Sequence, residues 1–483
     1  MVSASVRSSG RAGTSHSPRV VIAAPASGHG KTTVATGLLA ALRRRSTRVA
    51  PFKVGPDYID PGYHRVAAGR EGRNLDPVLV GEERIAPLFF HGRAGAELSV
   101  IEGVMGLFDG RIGGSGVGSS GTGGGRIGDT GDDPAFGSTA HVATVLDAPV
   151  VLVVDVRGQG HSLAAVLHGF RSYHPRVRLG GVILNRVGSA RHAEVLREAA
   201  EVAGLPVLGA LPRTEDLRVP SRHLGLVTAA EHGDDAREAV VAMADVVEAN
   251  VSLDAVVSLA ESAPEPAGGA WSAREAGGGS VCEGPRPTVA VAGGRAFTFG
   301  YTEHVELLEA AGADVAVLDP LRDERLPPGT AGLVLPGGFP EQHVTELSAN
   351  LALRRQIAAF AASGGPIHAE CGGLLYLAES LDGHPLCGVL GARAEMSPRL
   401  TLGYREAVAA TDSALFPEGS RVSGHEFHRT VLTPGHGANP AWRWRAGEPV
   451  AEGFVDRNLH ASYLHTHPAG HPEAVTRFVR RCV

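Results

Sequence analysis

Short apolar runs rich in β-branched residues recur along this 483-residue chain, each too brief to be a buried helix and several followed by a stretch of helical period. Residues 19–23, 49–54, 99–101, 150–154 and 181–185 read as buried parallel strands, with helices expected over 32–45, 163–168 and 190–203. The alternation resumes at 288–292, 314–318, 332–335 and 366–369. Such alternation builds doubly wound α/β domains whose functional loops lie at the carboxyl ends of the strands. One hydrophobic core rarely organises more than about 250–300 residues, so two α/β domains are expected. We place them at 19–250 and 288–483. They are joined by an Ala/Pro/Gly/Glu-rich linker over 251–287 and preceded by a disordered Ser/Gly/Arg-rich tail over 1–18. A Gly/Ser-rich surface insertion over 110–133 interrupts the first domain.

Composition removes several function classes. A net charge of -6 argues against a nucleic-acid partner, because a phosphate backbone demands a basic face. No apolar run approaches the ~20 residues that span a bilayer, and the N-terminus lacks the apolar segment of a secretion signal. Cys282, Cys371, Cys387 and Cys482 are few and scattered, which suits a reducing cytoplasm and implies neither a disulfide framework nor a zinc knuckle.

The first expected strand runs into Pro25-Ala26-Ser27-Gly28-His29-Gly30-Lys31-Thr32-Thr33 and then a long helix. A strand, a glycine-containing loop and a helix opening on Lys-Thr form a phosphate-binding loop, although Pro25 stands where the usual pattern has its first Gly. Backbone N–H groups from Gly28 to Thr33 would cradle phosphate, Lys31 would neutralise the outer phosphates, and the Thr32 hydroxyl would hold Mg²⁺. Lys53, Asp57 and Asp60 follow the second strand, and Glu102 ends the third. These positions suit a second cation for phosphoryl transfer and carboxylates for a metal ion. Taken singly, Asp57 and Asp60 could equally cap turns beside prolines.

The second domain carries different chemistry. Cys371 stands between an expected strand and helix in Glu370-Cys371-Gly372-Gly373, a tight turn that exposes a nucleophile and sets it at a helix start favouring thiolate. Gly337 and Gly338 end another strand and could supply an oxyanion hole. The base a cysteine nucleophile needs would come from among His460, His465, His467 and His471. A metal cluster of these histidines is disfavoured, since no Cys or carboxylate completes a usual set.

These residues resemble the cobyrinic acid a,c-diamide synthase family, including its metal-free hydrogenobyrinic acid variant, from about residue 19 to the C-terminus. The resemblance rests on the ordered set Pro51 to Pro61, Ile101 to Gly110, Glu370 to Gly373, Gly424-His425-Glu426-Phe427-His428 and Tyr463-Leu464-His465. It implies an N-terminal ATP-binding amidoligase domain similar to dethiobiotin synthetase and a C-terminal class I glutamine amidotransferase-like domain. ATP would activate the a and c acetates of a corrin ring as acyl phosphates, and ammonia released from glutamine would convert them to carboxamides. It further implies Cys371 as nucleophile and His465 as base in a Cys–His dyad, since no Glu follows His467 as in a fuller class I triad. Thr32, Asp76 and Glu102 are implied as Mg²⁺ neighbours, and Asp57 and Asp60 near substrate and γ-phosphate. Arg405 is implied near the domain interface, where gripping the polyanionic ring is one role to test. ATP and glutamine are the expected co-substrates and a corrinoid the expected partner, with a homodimer left open. The alternatives are cobyric acid synthase, a nickel-sirohydrochlorin a,c-diamide synthase, and, in a different class, a ParA-like regulatory ATPase.

Overall fold

The structure, a computed structural model, describes residues 17–111, 135–213, 233–265, 268–280 and 284–483. The expected tail up to residue 16, the insertion from residue 112 onward, and Cys282 lie outside these residues.

The first domain is a seven-stranded sheet of β1 (Arg19–Ala23), β2 (Val49–Val54), β3 (Arg73–Leu75), β4 (Leu98–Glu102), β5 (Val150–Asp155), β6 (Leu179–Val187) and β7 (Val207–Pro212). Its order is β3-β2-β4-β1-β5-β6-β7, and every pairing is parallel. Burial of every residue of β1, β2 and β4 explains why these strands read as unbroken apolar runs. The helix Lys31–Arg44 covers one face, burying Val34, Leu38, Leu39 and Leu42. It approaches the helix Gly233–Asn250 so closely that a Cβ on Gly37 would stand 2.6 Å from the Met243 carbonyl oxygen. With β1 central, its carboxyl end faces those of β4 and β2, and the loops bearing Lys31, Glu102 and Lys53 converge.

The second domain combines two sheets. One contains β8 (Thr288–Ala292), β9 (Asp314–Leu318), β10 (Thr330–Leu335), β11 (Ile367–Glu370), β18 (Phe454–Asp456) and β19 (Leu459–Ser462), in the order β18-β19-β11-β10-β8-β9. All its pairings are parallel except that of β18. The other was not anticipated: β12 (Ser380–Leu381), β13 (His384–Pro385), β14 (Arg393–Ala409), β15 (Arg421–Thr433), β16 (Trp442–Ala446), β17 (Glu448–Glu452) and β20 (His465–Thr466). Its long antiparallel pair, β14 and β15, has a largely exposed or half-buried β14 containing Pro398 and Gly403. That strand shows little of the apolar run or alternation from which strands are read. Strands β3 and β7 were missed as well, one being three residues long and the other carrying Gly209 and Pro212.

Described residues of the expected linker pack against the first domain. The helix Leu253–Glu261 buries Leu253, Val256 and Ala260, and Trp271 packs edge-on against His91 at 5.2 Å. Among the described residues no helix is long and apolar enough to cross a membrane.

The two domains meet through polar contacts, some of them buried. Arg73 on β3 pairs with Glu303 at 2.7 Å and with Glu306 on the helix Thr302–Ala310. The Tyr404 hydroxyl donates to Asp76 at 2.9 Å, and Arg111 lies 2.9 Å from Glu406. Glu303 is 1% exposed, so removing Arg73 strands a buried carboxylate. Arg73→Ala is expected to cost about 3 kcal/mol, read as a lower denaturant midpoint for the transition that separates the domains.

Candidate active site

Two centres sit at this junction. In the first, β1 ends at Ala23 and the chain turns through Gly28 and Gly30, with φ of 83° and 97°, before the helix begins at Lys31. A Cβ on Gly30 would collide with the Asn185 side chain, so glycine is required on both conformational and steric grounds. Asn185 donates to the His29 carbonyl at 2.8 Å and Arg186 to the Gly28 carbonyl at 3.0 Å, holding the loop from β6. His29 Nδ1 accepts from the Asp155 N–H at 2.9 Å. The Lys31 ammonium donates to the carbonyls of Ala26 and Met105. Burial, then the charge of Lys53, lowers it to about 8. Thr33 lies half-buried in the first helical turn beside Thr32.

Below the loop is a dry polar cluster. Thr32 donates to Glu102 Oε1 at 2.7 Å and lies 3.4 Å from Asp60 Oδ2. Lys53 sits 2.6 Å from Asp60 and 3.0 Å from Glu102, and His64 Nε2 is 2.7 Å from the other Glu102 oxygen. Burial alone would raise the Glu102 carboxyl, but Lys53, His64 and Thr32 hold it well below the carboxylate range. Burial, then the neighbouring Asp57 and Glu102 charges, pushes Asp60 up. Its Oδ1 is buried without a hydrogen-bond partner among the described residues.

Asp57 caps the turn into the helix Asp60–Ala68, accepting from the N–H groups of Ile59 and Asp60 at 2.7 and 3.0 Å. The resemblance grouped Asp76 with Thr32 and Glu102, whereas the structure sets Asp60 beside Thr32. Asp76 caps the turn Pro77–Val80 through Val78 and Leu79, binds Tyr404 across the interface, and is pushed by burial to about 6.

In the second centre, Cys371 follows β11 with φ 45° and ψ -99°, a strained conformation for a non-glycine residue. It is 3% exposed, and its thiol faces the Phe427 carbonyl at 3.8 Å. A Cβ on Gly372 would stand 2.9 Å from the Gly338 nitrogen, and one on Gly337 would strike the His465 ring. The Gly337–Gly338 turn is therefore wedged between the Cys371–Gly372 loop and the His465 ring. The following helix was expected to favour thiolate, but burial, aided by Glu341, pushes the Cys371 thiol well up, so the resting sulfur is protonated. His465 is completely buried on β20, opposite His425 of β15. Arg405 donates to Glu426 at 2.6 Å, one strand away from His465.

The centres touch through Tyr58, two residues before Asp60. Its ring stacks on Phe299 at 5.0 Å and 15° and packs against Tyr301 at 5.0 Å and His465 at 5.1 Å.

Residues 20–227 match the CobQ/CobB/MinD/ParA nucleotide-binding domain family, and 288–472 match the CobB/CobQ-like glutamine amidotransferase domain family. The hydrogenobyrinate a,c-diamide synthase of Mycobacterium tuberculosis is 58% identical, covering 95% of this chain and 97% of its own. The chain belongs to the a,c-diamide synthase family. The hydrogenobyrinate a,c-diamide synthase of Streptomyces coelicolor is 54% identical over 96% of this chain and 97% of its own. The cobyrinate a,c-diamide synthase of Gloeobacter violaceus is 43% identical over 96% and 97%. PurLQS from Thermotoga maritima shares 16% identity at a TM-score of 0.30 over 40% of this chain and 96% of its own, a likeness that carries no argument.

For a member of this family, sequence reasoning overlooked several residues at the two centres. His64 stands four residues after Asp60 on one helix face, a spacing that could have been read. Glu370 was quoted only as part of the Cys371 turn. Asn185 and Arg186 carry no motif, Tyr58 was read only as part of the Pro51 to Pro61 segment, and only the folded chain brings them to the centres.

Burial lowers His304, His425 and His460 to about 3 and His467 to about 4, from an ordinary 6.5. The folded protein thus keeps them neutral while the unfolded chain protonates them. Their contribution to stability is whole above pH 6.5 and is lost as pH falls towards 3–4. Unfolding free energy is expected to fall from pH 6.5 to 4, and His425→Gln to make that slope shallower by up to about 1.4 kcal/mol per pH unit, measured by denaturant titration across the range.

Proposed function

We propose that this chain amidates the a and c acetate carboxylates of a corrin ring, using ATP and glutamine. The observation that carries this reading is Tyr58, which belongs to the loop that also brings Asp60 beside Thr32 and lies against His465 of the cysteine site. Two chemistries packed ring to ring suit a reaction in which one centre supplies what the other consumes.

At the cysteine site, His465 takes the thiol proton and Cys371 attacks the glutamine side-chain carbonyl carbon. Backbone N–H groups of Gly337 and Gly338, whose turn packs against the Cys371–Gly372 loop, would receive the developing oxyanion. The C–N bond breaks, ammonia leaves with the proton from His465, and water then hydrolyses the thioester to glutamate. At the phosphate site, the γ-phosphoryl group of ATP passes to a ring carboxylate. Lys31 and Lys53 offset charge on the transferring group, and the backbone from Gly28 to Thr33 orients it. Ammonia attacks the acyl phosphate, phosphate departs, and a carboxamide remains.

Mg²⁺ fits the hard-oxygen set of Thr32, Asp60 and Glu102, where Asp60 keeps an unpartnered oxygen, and would neutralise phosphate charge there. The 58% and 54% identical relatives are hydrogenobyrinate enzymes and a 43% identical relative is a cobyrinate enzyme, which favours the metal-free ring. The few, scattered cysteines suit a reducing cytoplasm.

Mass spectrometry of hydrogenobyrinic and cobyrinic acids incubated with enzyme, ATP, Mg²⁺ and glutamine tests the reading. Two carboxyl-to-amide conversions are expected, faster on the metal-free ring, and an unchanged pair of rings would refute it. Cys371→Ser is expected to abolish glutamine-driven amidation while retaining the ammonia-driven reaction, and Lys31→Ala to abolish both. Asp60→Asn should raise the Mg²⁺ concentration needed for half-maximal rate at least about tenfold, whereas Asp76→Asn should leave it unchanged.

A further inference from the structure

The cysteine site has a base but, by position in the chain, no carboxylate to orient it. Among residues following His465, His467 and Pro468 stand where a carboxylate would be sought, and His467 instead packs on Tyr301 at 4.0 Å. The fold brings a carboxylate from elsewhere. Glu370 ends β11, beside β19 in parallel register and opposite Ser462, so it faces the segment leading into β20. One oxygen, Oε1, accepts from the Thr466 N–H at 3.1 Å and from its hydroxyl at 3.0 Å, with His368 Nε2 at 3.3 Å. The other, Oε2, lies 3.6 Å from Nδ1 of His465.

Several observations single out this pair. His465 is fully buried, and neither ring nitrogen has a hydrogen-bond partner among the described residues. The other faces of the imidazole are taken by the rings of Tyr58 and Phe299, at 5.1 and 6.4 Å, and by Gly337. His425, opposite it in the sheet, is held neutral by burial. Burial alone would raise Glu370, but His368 and His465 together hold it well below the carboxylate range, so it is ionised. Because the Cys371 thiol is protonated at rest, the reaction depends on an imidazole presenting the correct nitrogen.

We propose that Glu370, the residue immediately before the nucleophile, is the positioning carboxylate of this site. It holds the His465 proton on Nδ1 and leaves Nε2 free to accept from Cys371. Contraction of the 3.6 Å gap accompanies charging of the imidazole as the thiol proton transfers. The inference rests on the amidotransferase reading and deepens it, giving the site a three-membered relay whose carboxylate comes from the strand of the nucleophile.

The test compares wild type with Glu370→Gln in glutamine hydrolysis, ammonia-driven amidation and melting temperature. A positioning role predicts a kcat for glutamine lowered by about 100-fold with little change in KM. It also predicts a displaced acid limb of the pH–rate profile and an ammonia-driven rate like that of wild type. A Glu370→Gln enzyme that keeps wild-type glutamine kcat and pH profile overturns the proposal and leaves the parent reading intact. Absence of glutamine hydrolysis in the wild type overturns both. Should Glu370→Gln lose both activities together with its melting temperature, nitrogen NMR of the histidine rings in the wild type decides. The His465 signal is assigned by its disappearance in His465→Gln. A proton on Nδ1 supports the role, and a proton on Nε2 refutes it.

Discussion

The packing of Tyr58 between two domains is the contact on which the arrangement of both centres depends. Its ring is supplied by the loop after β2, the loop that also supplies Asp60, and it closes over Phe299, Tyr301 and His465. Aromatic faces at about 5 Å contribute both area and orientation, with no polar group to satisfy across most of their surface. The polar ties around them, Arg73 to Glu303 and Glu306 and Tyr404 to Asp76, fix the relative setting of the domains. A change in the loop after β2 is therefore mechanically adjacent to the cysteine site.

Exclusion of water has opposite consequences at the two centres. Around Lys53, opposite charges are packed closely enough that Glu102 stays ionised despite complete burial. Around Cys371, burial and neighbouring carboxylates act in one direction and keep the sulfur protonated. The first centre is thus poised for charge neutralisation, while the second needs a proton acceptor before it can react. The difference lies in the sign of the nearest charges, since Glu102 and Cys371 are both buried.

Much of this was legible along the chain because the chemistry depends on local backbone. The turn at Gly28 and Gly30 requires positive φ, and β1 with its following helix announces itself by periodicity, so the phosphate loop could be read residue by residue. The Cys371 turn was legible for the same reason, lying between a short apolar strand and two glycines. The β14–β15 pair was not, because β14 is largely exposed or half-buried and β15 buries polar residues such as His425 and Glu426. Nor could the choice between Asp60 and Asp76 be made from order along the chain. Both follow strands, both cap or adjoin turns, and only the adjacency of β2, β4 and β1 puts Asp60 beside Thr32.

The sequence by itself therefore determined the α/β fold class, the phosphate loop, the Cys371 turn and the family. Each is encoded in a few consecutive residues whose backbone geometry or reactivity is intrinsic. Tertiary structure alone decided which carboxylate joins Thr32, which groups hold the thiol protonated, and that Glu370 faces His465 across 95 residues of chain. Those outcomes depend on strand order, burial and the distance between charges, none of which a linear spacing contains.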